Sequence, residues 1–310
     1  MARAINSEVK AGRGSPHGGV FLDVSKRLPA EVIRKKLPSM YHQFKELADV
    51  DITAEAMEVG PTCHYVMGGI EVDPDTGATP RVRGLFSAGE ASGGMHGSNR
   101  LGGNSLSDLL VFGRRAGLGA AEYVDGLGEQ RPAVAEADID AAAASALAPF
   151  RTENGENPYS LHMELQQTMN DLVGIIRRSD EVSAALDRLA DLKRRAANVT
   201  VEGHRQFNPG WHLALDLQNM LIVSECIARA ALEREESRGG HTRDDFPVMS
   251  HTWRMVNLIC SLDGADVRVE HQPIPEMPIE LLGLFELAEL GKYFTTEELV
   301  EWAEHPEGTG

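Results

Sequence analysis

Apolar positions recur at helical spacing through much of the second half of the chain. Leu165, Met169, Leu172 and Ile176 make one stripe, and Val182, Leu186, Leu189 and Ala196 make another. Side chains three and four residues apart share one face of a helix, so both stripes predict amphipathic helices packed on a common core. Ser179, just ahead of the second stripe, is a favoured N-cap residue type. A longer pattern runs from Trp211 to Glu236, with Leu213, Leu217, Met220, Leu221, Ile227 and Ala231 facing inward, and Gly239-Gly240 as its expected stop. Residues 133–236 therefore read as helical, with antiparallel packing as the expected arrangement. Earlier in the chain, Ala4, Ile5 and Val9 predict a short helix, and Val20-Phe21-Leu22 a short strand. Val32, Ile33, Leu37, Tyr41 and Phe44 predict one helix over Pro29–Leu47. Beyond residue 246 the expectation is a strand at Ala265–Glu270 and a proline-punctuated loop at 273–278.

Composition narrows the class. A net charge of −17 argues against a nucleic-acid partner. From Glu276 onward Lys292 is the sole Lys or Arg, and this stretch reads as a solvated helical tail. Cys63, Cys226 and Cys260 are far apart and form no CxxC pattern. They signal neither a disulfide framework nor a metal site, and a reducing compartment fits them. No apolar run reaches the roughly 18 residues of a membrane span. The opening MARAINSEVKAGRG lacks the apolar core of a signal peptide and reads like the middle of a helix.

The chemistry concentrates between residues 61 and 117. Leu85–Ala88 predicts a short buried strand that ends at Gly89 and puts Glu90 at its carboxyl end, where α/β folds place ligand contacts. A carboxylate there can accept both hydroxyls of a ribose, or it can simply cap the next turn. Gly93-Gly94, Gly97 and Gly102-Gly103 follow, enough glycine for a backbone to approach a ligand closely. Arg100 lies inside this cluster. Its planar fork suits a small dicarboxylate, or alternatively the loop's own carbonyls. Asn104 is a candidate N-cap for a helix opening at Ser105-Leu106. The start of such a helix carries a partial positive charge fit for a flavin's pyrimidine end or for a phosphate. Upstream, PTCHYVMGGI is a strand-like run in which His64 is either a donor to a carboxylate or a structural histidine.

Together, PTCHYVMGGI (61–70), GLFSAGE (84–90), HGSNRLGGNSLSDLLVFGRRAG (96–117) and ESRGGHTRDDFP (236–247) resemble the succinate dehydrogenase/fumarate reductase flavoproteins over nearly the whole chain. The resemblance implies a mixed α/β (α+β) fold that combines parts of a Rossmann-like FAD-binding domain and a capping domain with a helical bundle and a small C-terminal domain. The implied boundaries are 1–62 for the end of the capping domain, 63–125 for the returning segment of the FAD domain, 126–245 for the helical domain and 246–310 for the last. It implies that His64 and Arg100 bind the substrate's carboxylates and take part in catalysis, that Glu90 binds the FAD ribose, and that backbone groups of Ser105 and Leu106 meet the isoalloxazine. The implied cofactor is FAD and the substrates are succinate and fumarate. The implied partners are membrane-anchor subunits together with an iron–sulfur subunit, with peripheral association at the cytoplasmic side of the membrane. ESRGGHTRDDFP matches a family segment to which no chemical role is assigned.

The family's GxGxxG is missing. Gly12, Gly14 and Gly18 have the wrong spacing and follow no strand. The family's proton-transferring arginine falls ahead of Met1. Arg3 does not inherit its role, because a five-residue shift on a helix with about 3.6 residues per turn points the side chain elsewhere. The expectation is a chain truncated at its N-terminus, inactive alone, and completed by a missing FAD domain. The competing readings are a non-catalytic assembly scaffold and an oxidase resembling L-aspartate oxidase.

Overall fold

The structure is a computed structural model describing residues 1–129, 132–275 and 277–304. The chain forms two compact units, Met1–Val66 and Met67–Gly310. Each has its own core.

In the first unit, α1 (Ala2–Lys10) precedes β1 (Val20–Leu22), α2 (Ala30–Lys36), α3 (Pro38–Ala48) and β2 (Met57–Val59). β1 and β2 pair antiparallel, with Val20 opposite Val59 and Leu22 opposite Met57. Ile33, Ile52 and Met57 are fully buried, with Val24, Tyr41 and Phe44 packed around them. The single helix expected over Pro29–Leu47 is two helices. Pro38 has no N–H to donate to the preceding turn, so α2 stops at Lys36 and Pro38 starts α3, the helical position that tolerates it best.

The second unit opens with an irregular segment. Ile70 bridges Ser92 in parallel and Ala78 bridges Phe86 antiparallel, and Gly89–Ala91 makes one turn of 3-10 helix. The strand expected at Leu85–Ala88 amounts to that single bridge. The Ser87 N–H donates to the Gly77 carbonyl and the Thr79 N–H to the Leu85 carbonyl, while the Leu85 N–H donates to Val82 within a turn. The tight turn leaves no room for a longer ladder. The long helix α4 (Asn104–Leu127) follows. It packs closely on residues 76–77: a Cβ at Gly77 would lie 2.6 Å from the Ala116 Cβ, and one at Gly119 would lie 2.4 Å from the Thr76 carbonyl oxygen. Leu106, Leu109, Leu110, Leu118 and Val124 remain exposed on it.

Next come α5 (Glu136–Leu147), α6 (Pro158–Leu172), α7 (Ser179–Ala196) and α8 (Pro209–Glu233). α6, α7 and α8 pack on one another around a core of Leu161, Leu165, Val182, Leu189, Leu217 and Leu221. Each such leucine contributes about 1.5–3 kcal/mol by leaving water. α7 begins with Asp180 and Glu181 and ends with Lys193, Arg194 and Arg195, so its charges oppose the helix dipole at both ends. Ser179 is the first helical residue rather than the cap; its N–H and hydroxyl both donate to Asp245. α8 ends at Glu233, well before Gly239-Gly240, and those glycines have a different task described below. Ile176 lies beyond the end of α6.

After α9 (His251–Arg254), β3 (Val256–Asp263) and β4 (Asp266–Pro273) form an antiparallel hairpin that turns at Gly264 with φ +61°. The expected strand is β4; β3 went unanticipated. The short helices α10 (Ile279–Leu282) and α11 (Leu287–Leu290) and then α12 (Thr296–Glu304) follow. Glu276, in the proline-punctuated loop, and residues 305–310 of the acidic tail lie outside the described residues. Among the described residues no helix is long and apolar enough to cross a membrane.

Candidate active site

In the second unit, the segment from Met95 to Gly103 leads into the start of α4. Two anchors hold it. The His96 Nε2 lies 3.2 Å from a carboxylate oxygen of Asp108, one turn inside α4, and both side chains are almost fully buried. The Gly240 N–H donates to the Ser98 carbonyl oxygen at 2.9 Å. Beside it Gly239, at φ +57°, comes so near that a Cβ there would lie 2.4 Å from the same oxygen. Arg100, half-buried, directs Nη1 to the Leu101 carbonyl at 3.2 Å. Its guanidinium is thus positioned by its own loop, and that loop is positioned by α4 and by the segment that follows α8.

The segment after α8 is itself rigidly tied. Glu236 is fully buried and accepts from Arg234, Arg238 and the Ser250 N–H. Arg243, also buried, donates to the Ala231, Leu232 and Arg234 carbonyls at the end of α8, to Asp245, and to the Ser179 hydroxyl. These are charge-assisted bonds, about twice as strong as neutral ones. They satisfy helix-end carbonyls that would otherwise lack partners. His241 Nε2 lies 3.0 Å from the Arg234 carbonyl and Nδ1 lies 2.9 Å from the Arg177 guanidinium, so Nε2 carries the proton and Nδ1 accepts. Burial first, then the surrounding Arg177, Arg243 and Arg234, push this imidazole down to about 4.

α4 begins at Asn104, with Gly103 at φ +87° as its cap residue and no side chain capping it. Asn104 is the first helical residue and not the cap, because the glycine takes up the left-handed conformation that an asparagine tolerates less well. Ser105 is half-buried and Leu106 exposed. Added Cβ atoms at Gly97, Gly102 and Gly103 would meet nothing within 4 Å, so these glycines do not serve packing inside the unit. An uncapped helix start behind an open, glycine-lined approach fits a planar group with negative charge at one end. Glu90 is exposed in the 3-10 turn, not at a strand end, and the adjoining Gly89 presses on Leu109 of α4. The Met95–Asn104 stretch also forms one wall of a cleft of about 630 Å³, whose other wall includes Arg254, Phe285 and Tyr293. Arg100, Ser105, Leu106 and Glu90 all belong to this unit. His64 belongs to the first unit, exposed on an irregular stretch rather than on the expected strand. Among residues 60–69 the chain forms no strand; the pairing of this stretch is the single bridge of the adjoining Ile70 to Ser92.

Family models match the chain in two places: residues 1–106 match an FAD binding domain, and residues 162–287 match the fumarate reductase flavoprotein C-terminal region. The chain belongs to the succinate dehydrogenase/fumarate reductase flavoprotein family. FAD is the cofactor that this family membership brings. A fumarate reductase (CoM/CoB) polypeptide of Methanothermobacter marburgensis is 41% identical over 261 residues, covering 84% of this chain and 46% of that protein. The succinate dehydrogenase flavoprotein subunit of Coxiella burnetii is 37% identical over 289 residues, 90% of this chain and 49% of its own length. Among solved structures, Mycobacterium smegmatis Sdh1 in complex with UQ1 superimposes with a TM-score of 0.87 at 67% identity, covering 96% of this chain and 50% of that one. The chain thus spans about half the length of the relatives it matches.

Neither His96 nor Asp108 stands out in the sequence as an anchor, and Gly240 stands out only as an expected helix stop. A lone aspartate amid the apolar run of α4 was the one available signal for the buried pair. Nothing local links Gly240 to Ser98, which are distant in sequence.

Proposed function

We propose that this chain carries the substrate-clamping arginine and the flavin-facing helix of an oxidoreductase interconverting succinate and fumarate. The observation that carries the reading is the loop of Arg100, anchored through His96 and Ser98 and running directly into a helix start that no side chain caps. FAD supplies hydride transfer to or from a substrate carbon when bound. Arg100 pairs with a substrate carboxylate through its guanidinium fork, orienting the substrate and favouring negative charge that develops there. His64 donates to a carboxylate of the same class of substrate. Glu90 accepts from the ribose hydroxyls. Backbone groups of Ser105 and Leu106, at the positive end of α4, meet the isoalloxazine and favour negative charge on it. Activity is expected of this chain together with the remaining half of the flavoprotein's length. An iron–sulfur subunit is the proposed electron partner, and association with the cytoplasmic side of the membrane runs through anchor subunits.

The test is succinate-dependent bleaching of the flavin in the native protein, compared with an Arg100→Met variant. Bleaching by succinate that drops at least about a hundredfold in the variant supports the reading, since an interaction made in the transition state is lost. Bleaching by aspartate but not succinate would move the chain to the amino-acid oxidases.

A further inference from the structure

Two of the three cysteines, separated by 34 residues in sequence, meet where the hairpin lies against α8. The Cys260 thiol, on β3, is 3.7 Å from the carbonyl oxygen of Cys226 on α8. Both cysteines are half-buried and neither is in a disulfide. The groups around them are charged. Glu225 accepts from Lys193 of α7 at 2.6 Å and from Arg229 of α8 at 2.7 Å. The Lys193 ammonium also reaches the Ala265 carbonyl in the hairpin turn. The cations thus offset the one carboxylate beside the pair. The neighbouring Cys260 thiol holds the Cys226 thiol down to about 7 against the effect of burial, and Cys260 itself is pushed up. Cys226 is accordingly the nucleophile and Cys260 the resolving thiol.

We infer that Cys226 and Cys260 form a redox-active dithiol site that hydrogen peroxide converts to a disulfide, joining α8 to β3. The Cys226 thiolate attacks one peroxide oxygen, the O–O bond breaks, and a sulfenic acid forms as hydroxide leaves. The Cys260 sulfur then attacks the sulfenic sulfur. The S–S bond forms, the S–O bond breaks, and the Cys260 proton leaves with the hydroxyl as water. Overall two thiols give up two electrons and two protons, and one peroxide becomes two waters. The product ties β3, whose ladder partner is β4, to a helix of the bundle core, so it restricts opening of the hairpin and the unfolded chain alike.

The test treats the folded 310-residue chain with a small excess of hydrogen peroxide, quenches free thiols, and maps disulfides by mass spectrometry without reduction. A linked pair of peptides containing Cys226 and Cys260, with a mass loss of about 2 Da for the two hydrogens, is expected. Dithiothreitol should reverse it, and the oxidised chain should melt at a higher temperature. In Cys260→Ser a sulfenic acid on Cys226 should be trapped by dimedone. Exposed Cys63 is the internal reference for oxidant reaching the protein. Oxidation of Cys63 while Cys226 and Cys260 both stay reduced would overturn the inference. Pairing of either one with Cys63, or accumulation of unpaired sulfenic acid on Cys226 in the unsubstituted chain, would do the same.

Discussion

The His96 imidazole and the Asp108 carboxylate meet at 3.2 Å inside the second unit, and the contact ties the start of the glycine-rich loop to the second turn of the helix that the loop feeds. Replacing Asp108 by leucine keeps the branched outline of the side chain and takes away the carboxylate acceptor. Removing one partner of a buried pair costs more than the pair's own net contribution, because the other is left desolvated. Urea unfolding of Asp108→Leu should show a loss of about 1–3 kcal/mol. Asp108→Asn, which keeps an acceptor oxygen, should lose less. Equal losses would show that the carboxylate's hydrogen bonding is not what matters there.

The glycines of the site sort into two kinds by what surrounds them. Gly239 combines φ +57° with a Cβ position 2.4 Å from the Ser98 carbonyl oxygen. Gly239→Ala must push the loop away or leave its backbone conformation, at a cost of about 1–3 kcal/mol. Gly102 has open space around it and a φ outside the left-handed region. Gly102→Ala should therefore melt within a degree or two of the unsubstituted chain. Thermal melts of the two variants check this directly. If flavin approaches at Gly102, the alanine there weakens flavin binding without changing the melt.

Acid should destabilise the second unit through His241. The unfolded chain takes up this proton near the ordinary histidine value of about 6.5. The folded one resists until about 4. Between those values the unfolded state holds more protons, so stability declines as pH is lowered through the window, levels off below about 4, and is unaffected above about 7. Other groups titrate in the same range, so the useful quantity is a difference. Melting temperatures of the parent and of His241→Gln, taken from pH 7 to 4, should converge as the pH falls. Parallel curves would show that this imidazole does not contribute.

The elements carried by periodicity were legible. The stripe through Val182, Leu189 and Ala196 is the buried face of α7, and Leu217, Leu221 and Ala231 are buried on α8. Boundaries were less so, because they are set by single residues acting against the pattern: Pro38 divides a continuous apolar stripe, and Gly103 displaces Asn104 from the cap. β3 was missed since Val256, Leu258, Ile259 and Cys260 do not alternate with polar residues. In the candidate site, the motif containing Arg100 was evident from its glycines, whereas the contacts that position it were not. Ser98–Gly240 and His96–Asp108 join parts of the chain whose proximity arises only from tertiary packing.

The segment from Glu236 to Pro247 has a consequence for how the molecule can be recombined. It is fastened to the end of α8 by Arg243, to the start of α7 by Ser179 and Asp245, and to the Arg100 loop by Gly240. A chimera that exchanged the bundle and left this segment behind would retain every residue of the loop and lose the datum from which the loop is aligned. The natural boundary for grafting one family member's bundle onto another therefore lies after Pro247, with Ser98 and its neighbours carried along as the matching half of the joint.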